Sequence, residues 1–79
     1  MKLKQNIAVS ESGFVFNATL GDSFTTNPIG VFIFNQLKEG KTEAQIVKQV
    51  TTNYEVDNST CEKDVYDFLN MLKQYNLVD

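Results

Sequence analysis

The sequence predicts an α+β fold with the element order β-β-β-α-α-α, and three observations predict it. Apolar residues recur with period two up to Thr26, which is strand spacing. Beyond Asn27 they recur at helical spacing, inside segments bracketed by helix-starting and helix-ending residues. No repeat, low-complexity run or Gly/Ser-rich linker divides the 79 residues, so 1–79 is expected to form one folded unit.

The strands come first. Ile7 and Val9 alternate, Glu11-Ser12-Gly13 offers a turn, and Phe14, Phe16, Ala18 and Leu20 resume the alternation, which is a hairpin pattern. Gly21-Asp22 marks a second turn. Ser23-Phe24-Thr25-Thr26, β-branched and aromatic, makes a short third strand that Asn27-Pro28 closes. The next segment carries conflicting signals, because Val31-Phe32-Ile33-Phe34 reads as a strand core. Its flanks decide for a helix over 28–39: Asn27 is a good N-cap, Pro28 suits the first helical position, and Gly40 sits where a C-terminal glycine belongs. Ile29, Phe32, Ile33 and Leu37 fall on one face and Val31 and Phe34 on a second, so this helix is expected to be buried on more than one side.

Thr42-Glu43-Ala44-Gln45 is a capping box, and Ala44, Ile46, Val47, Val50 and Tyr54 follow it, which gives a second helix over 43–54. Ser59-Thr60-Cys61-Glu62 is another. It opens a third helix over 60–75, with Cys61, Val65, Phe68, Leu69, Leu72 and Tyr75 as its stripe and Asn76 as its terminator.

Composition excludes much of chemistry. A hydrophobic share of 42% with nine aromatic residues and one proline describes a folded chain, although a domain of this size buries only about 60% of its unfolded surface. The lone Cys61 cannot form an internal disulfide, and the absence of histidine removes Ser-His-Asp and Cys-His relays and His-ligated zinc. The expectation is a protein that is not an enzyme and holds no cofactor. All seven positive charges are lysine, against ten carboxylates and a net charge of −3, which disfavours nucleic acid. Lys2 and Lys4 are not followed by the apolar core of a signal peptide, and Ile29 to Phe34 is far too short to span a bilayer, so a soluble cytoplasmic protein is expected. An unpaired cysteine is consistent with a reducing compartment.

Motifs with a chemical meaning have simpler readings. Gly40-Lys41-Thr42 resembles the end of a phosphate-binding loop, but Asn35 stands where that loop needs glycine, and a helix rather than a strand precedes it. It reads as a helix stop running into the next N-cap. Glu55, Asp57, Asn58, Ser59 and Glu62 offer oxygen ligands without the turn glycine or ligand order of a calcium loop, and read as a solvated loop. Asp64 and Asp67 lack a third ligand, and Cys61, on an apolar stripe, reads as a small buried hydrophobe.

A recognition surface remains. The third strand has no partner beyond it in this order, and its middle carries neither lysine nor proline, so Ser23, Phe24, Thr25 and Thr26 form an edge that can accept another strand. The same residues also satisfy a plain reading, an edge too short to pair with anything.

Asn27-Pro28-Ile29-Gly30, Leu37-Lys38-Glu39-Gly40-Lys41-Thr42, Ile46-Val47, Tyr54-Glu55-Val56-Asp57, Asp64-Val65 with Phe68-Leu69 and Leu72, and Asn76-Leu77-Val78 together resemble the PqqD family over nearly the whole chain. The family pattern ends in glycine-leucine where this chain has Asn76-Leu77, and asparagine also adopts the left-handed cap. The resemblance implies a winged-helix-like domain that binds the leader of a ribosomally made precursor peptide and presents it to a modifying enzyme. That enzyme is commonly a radical S-adenosylmethionine enzyme, and in the namesake pathway the product is pyrroloquinoline quinone. It also implies that the leader adds as a strand beside the third strand and third helix. Carried onto this chain, the peptide-binding residues are Ser23, Phe24, Thr25 and Thr26 on the edge, with Leu69 on the helix wall and Tyr66 and Lys73 at its flank. Met71 and Asp67 lie on the opposite flank. A monomer or weak homodimer is expected. Two other classes stay open: an adaptor that docks on an enzyme or dimerises through its edge, and a winged-helix DNA reader, against which the acidic third helix counts.

Overall fold

A computed structural model describes residues 2–54 and 57–78, so Glu55 and Val56, which the loop and family readings include, lie outside the described residues. Three strands, β1 (Ile7–Val9), β2 (Phe14–Asn17) and β3 (Asp22–Thr25), precede three helices, α1 (Pro28–Lys38), α2 (Glu43–Tyr54) and α3 (Asn58–Gln74). The sheet is antiparallel in the order β1-β2-β3. It is the α+β arrangement that the sequence predicts.

The sheet's inner face is not the aromatic one. Val9 pairs with Val15 and Val15 with Phe24, while Ile7 pairs with Asn17, so alternation turns Ile7, Val9, Val15, Asn17 and Phe24 inward. Val15 is fully buried, whereas Phe14 and Phe16 are 48% and 38% exposed on the outer face and Leu20 is exposed in the turn. Period two identifies the strand, but β2 carries apolar residues on both faces, so periodicity leaves the phase open. Asn17 occupies an inward position because its carboxamide organises the turn into β3. Its Oδ1 accepts from Asn6 Nδ2 (2.8 Å) and from the backbone N–H groups of Thr19 and Leu20 (3.1 and 3.3 Å).

The helices begin and end on the residues that their caps select, with one exception. Asn27 Oδ1 accepts from the Gly30 N–H at 2.7 Å and Pro28 takes the first turn, while Thr42 and Gln45 exchange both bonds of a capping box. At the end of α1, Lys41 N–H reaches the Gln36 carbonyl and Gly40 N–H that of Leu37, the paired bonds of a Schellman motif. The end of α3 repeats it, with Leu77 N–H on Leu72 and Asn76 N–H on Lys73, and Asn76 holds the left-handed conformation at φ 59. The exception is the start of α3. Asp57, not Ser59, is the N-cap: its carboxylate accepts from the Thr60 N–H and from the Ser59 and Thr60 hydroxyls, so the helix opens at Asn58. The Ser59 hydroxyl, followed by the two Thr60 donors, holds the Asp57 carboxyl below its ordinary pKa.

Ile33, Phe34 and Leu37 of α1, Ile46, Val47 and Val50 of α2, and Cys61, Val65, Leu69 and Leu72 of α3 meet Val15 and Ile7 in one core. Ile29, Val31 and Phe32 are half-buried, so α1 packs on more than one side as its sequence implies. Phe34 and Phe68 meet edge to face at 5.7 Å, as do Phe32 and Tyr54 at 5.6 Å. The two ends of the chain close together: Leu3 bridges Val78, Lys4 N–H donates to the Leu77 carbonyl at 3.0 Å, and Leu3, Leu77 and Val78 are buried.

Gly13 sits under β3 at φ 95, and a Cβ there would overlap the Thr26 carbonyl oxygen, whereas one on Gly21, at φ 74, would meet open space. Gly21→Ala then carries only the left-handed penalty, about 1–2 kcal/mol, and Gly13→Ala carries the collision in addition. Urea unfolding is expected to show the larger loss for Gly13→Ala. Equal losses would mean that Gly13 and Thr26 are not in this close contact.

Candidate functional site

The free edge of β3 has a defined polarity. Thr26 N–H donates to the Gly13 carbonyl at 2.7 Å and Gly21 N–H to that of Asn17 at 2.8 Å, so the backbone groups of Phe24, two residues before Thr26, turn toward β2. Those of Ser23 and Thr25 therefore turn away from the sheet, giving two donors and two acceptors on the open side. Ser23 and Thr25 are exposed, and Phe24 turns its ring inward, half-buried against the core.

Beside this edge lies a groove of about 400 Å³ lined by Asn17, Leu20, Asp22, Ser23, Phe24, Met71, Tyr75 and Leu77. One wall is β3 and the other the last turns of α3. A second hollow, of about 500 Å³, lies further along α3, between it and the first turn of α1, with Ile29, Gly30, Asp64, Asp67 and Phe68 among its lining. Met71 borders both hollows.

Only part of the expected peptide-binding set comes together here. Ser23 and Phe24 line the groove, and Thr25 lies on the same edge. Thr26 ends the edge with its N–H engaged by Gly13 and its side chain against Gly30. Leu69 is 1% exposed and belongs to the core rather than to the wall. Lys73 projects to the other side of α3, where its Nζ lies 3.7 Å from Glu43 of α2. Tyr66, seven residues earlier, shares that flank and is absent from both linings. The helix wall is therefore Met71 and Tyr75, four residues apart on one face, on the flank opposite to that of Tyr66 and Lys73. The reason is the packing of α2, which takes the Lys73 side of α3 and leaves the Met71 side open toward β3. The sequence contained a signal for this wall, an apolar pair at i and i+4 on the margin of the buried stripe, with no means of orienting it.

Reactive chemistry is sparse. No group of three or more metal-ligating side chains exists among the described residues, and no helix there is long and apolar enough to cross a membrane. Both lysines of α3 lie beside carboxylates, Lys63 at 3.3 Å from Asp67 and Lys73 beside Glu43, while Glu62 and Asp64 stay exposed. The surface of a DNA-reading helix has the opposite sign. Cys61 is buried, and burial raises its thiol pKa, so it is an inert packing residue.

Known proteins share both this sequence pattern and this geometry. The sequence profile described as coenzyme PQQ synthesis protein D (PqqD) matches residues 10–78. The chain belongs to the PqqD family. No curated protein matches it. Among solved structures, TbiB1 in complex with the TbiA(beta) leader peptide is similar, at 29% identity and a TM-score of 0.87, over 100% of this chain and 95% of that one. A lasso peptide synthetase B1 complexed with the leader peptide has a TM-score of 0.79 over 98% of this chain and 93% of that one, and at 22% identity it supports the fold alone. This PqqD-family chain thus shares its whole architecture with a domain solved with a leader peptide bound.

Because the raised pKa reduces thiolate at neutral pH and the side chain is enclosed, folded Cys61 is expected to resist iodoacetamide. Mass spectrometry should find alkylation only after denaturant is added. Rapid labelling of the native protein would show an accessible thiolate.

Proposed function

We propose that this protein is a non-catalytic carrier that binds the leader of a ribosomally made precursor peptide by strand addition to β3 and presents it to the enzyme that modifies that peptide. The observation that carries this reading is the open β3 edge, two outward donors and two outward acceptors, running directly beside an apolar groove between β3 and α3. Strand addition uses such an arrangement twice over. Backbone bonds to Ser23 and Thr25 serve any extended chain, while Phe24, Met71 and Tyr75 meet its groove-facing side chains and so discriminate among sequences. Similarity to TbiB1, solved with a leader peptide, supports the same occupant. The family resemblance supports a radical S-adenosylmethionine enzyme as the partner, with pyrroloquinoline quinone or a related modified peptide as the product. A cytoplasmic location fits a carrier that meets its peptide before processing.

Two proline substitutions test the edge. Thr25→Pro removes an outward N–H and leaves the β2–β3 ladder intact, so leader affinity should fall about tenfold with little change in melting temperature. Phe24→Pro removes an inward N–H from the ladder together with a groove side chain, and should destabilise the fold itself. In the wild type, titration with the cognate leader should move the amide resonances of residues 23–26 and of the Met71 side of α3 while leaving the 7–16 hairpin still. A silent titration would overturn the reading.

A further inference from the structure

The floor of the groove contains a polar pair set among apolar walls. Asn17 is 7% exposed and is the one buried polar residue among the described residues, on an inward face otherwise built from Ile7, Val9, Val15 and Phe24. Three donors converge on its Oδ1, two of them backbone N–H groups, and they fix which end of the carboxamide is oxygen. The Nδ2 amide is left without an acceptor among the described residues, and Asn17 lines the groove. Directly opposite on β3 stands Asp22, also in the lining, whose carboxylate has no hydrogen-bond or ion-pair partner among the described residues. A donor and an acceptor thus face each other across adjacent strands at the end of a groove whose other lining residues are Leu20, Ser23, Phe24, Met71, Tyr75 and Leu77.

Turn stapling accounts for Oδ1 alone. It leaves the amide end facing the groove, within reach of solvent and free to donate to whatever side chain fills the groove.

We propose that Asn17 and Asp22 form a specificity pair that selects, in the added strand, one uncharged side chain able to accept and donate at its tip, a hydroxyl or a carboxamide. Nδ2 donates to that tip and the Asp22 carboxylate accepts from it. The apolar body of the same side chain packs on Phe24 and Met71. A purely apolar residue of equal size leaves the pair unmet and binds more weakly. This deepens the leader-binding reading and rests on it.

Selection from a random peptide display library against the purified domain tests the proposal and requires no leader sequence. Wild type should enrich peptides carrying Ser, Thr, Asn or Gln at one fixed position. Replacing that residue in a selected peptide by its apolar isostere, Val for Thr or Leu for Asn, should weaken binding about tenfold. Asn17→Asp keeps the acceptor that staples the turn and replaces the donor by an anionic oxygen facing Asp22; it should shift enrichment at that position from the uncharged tip to lysine. Asp22→Ala, at an exposed position, keeps the test valid if Asn17→Asp proves unstable, and it should reduce the wild-type preference severalfold. Wild type enriching apolar residues alone, or either folded variant retaining the full preference, overturns the specificity pair while leaving strand addition standing. Failure of wild type to enrich any peptide overturns strand addition itself, and the pair with it.

Discussion

The fold depends on a close approach at Thr26. On one side its N–H bonds the Gly13 carbonyl, and on the other its side chain presses on Gly30 in the first turn of α1. A Cβ on Gly13 would overlap the Thr26 carbonyl oxygen and a Cβ on Gly30 its hydroxyl, so a side chain on either neighbour would collide with Thr26. Three elements are fixed by one residue. β3 is held in register against β2, α1 starts at once behind it with Asn27 as cap, and no slack remains for the strand to drift from the helices. The edge stays open because β3 is anchored from within, by backbone bonds and a packed end, and needs no further strand beyond it.

With β3 anchored, the remaining problem is closure of a small core without a staple. A domain of this size leaves a large share of its surface wet, its single cysteine forms no internal disulfide, and no group of three or more metal-ligating side chains exists among the described residues. Closure comes from backbone hydrogen bonds at element ends. Schellman bonds stop α1 and α3, and the turn after α3 sends Leu77 and Val78 under the start of the chain, where Leu3 and Lys4 meet them. The left-handed Asn76 is what allows that reversal, and it stands where the family pattern has glycine. Leu77 then serves twice, as a core residue and as part of the groove lining.

What the sequence makes legible divides along a physical line. Signals that act within a few residues hold: Asn27, Thr42, Gln45, Gly40 and Asn76 cap what they are expected to cap, because each satisfies backbone groups of its own turn. Signals that depend on which of two faces meets the rest of the molecule do not. Phe14 and Phe16 announce a strand yet lie outside, since Val15 and Asn17 belong to the parity of Ile7, Val9 and Phe24. Likewise Tyr66 and Lys73 stand on one margin of the α3 stripe and Met71 on the other, and only the position of α2 decides which margin is open. The start of α3 is a competition between two nearby caps. Asp57 prevails over Ser59 because an ionised carboxylate gathers three donors where a hydroxyl gathers one.

Magnitudes place the specificity of the groove in its side chains. Four backbone bonds along Ser23 and Thr25, at about 1 kcal/mol each, supply about 4 kcal/mol, and any extended peptide can make them. Micromolar binding needs about 8 kcal/mol after the costs of ordering the peptide are met. The difference, at about 25 cal/mol per Å², is the burial of about 160 Å² of apolar surface, the size of one large side chain, and ordering costs raise that requirement. A groove of about 400 Å³ bounded by Phe24, Met71, Leu20 and Leu77 has room for such a side chain. An edge alone therefore gives weak, indiscriminate pairing, of the kind that leads to aggregation; an edge beside this groove gives selection. Under strand addition as proposed, what the chain contributes is a peptide held extended and in one register for another protein's active site.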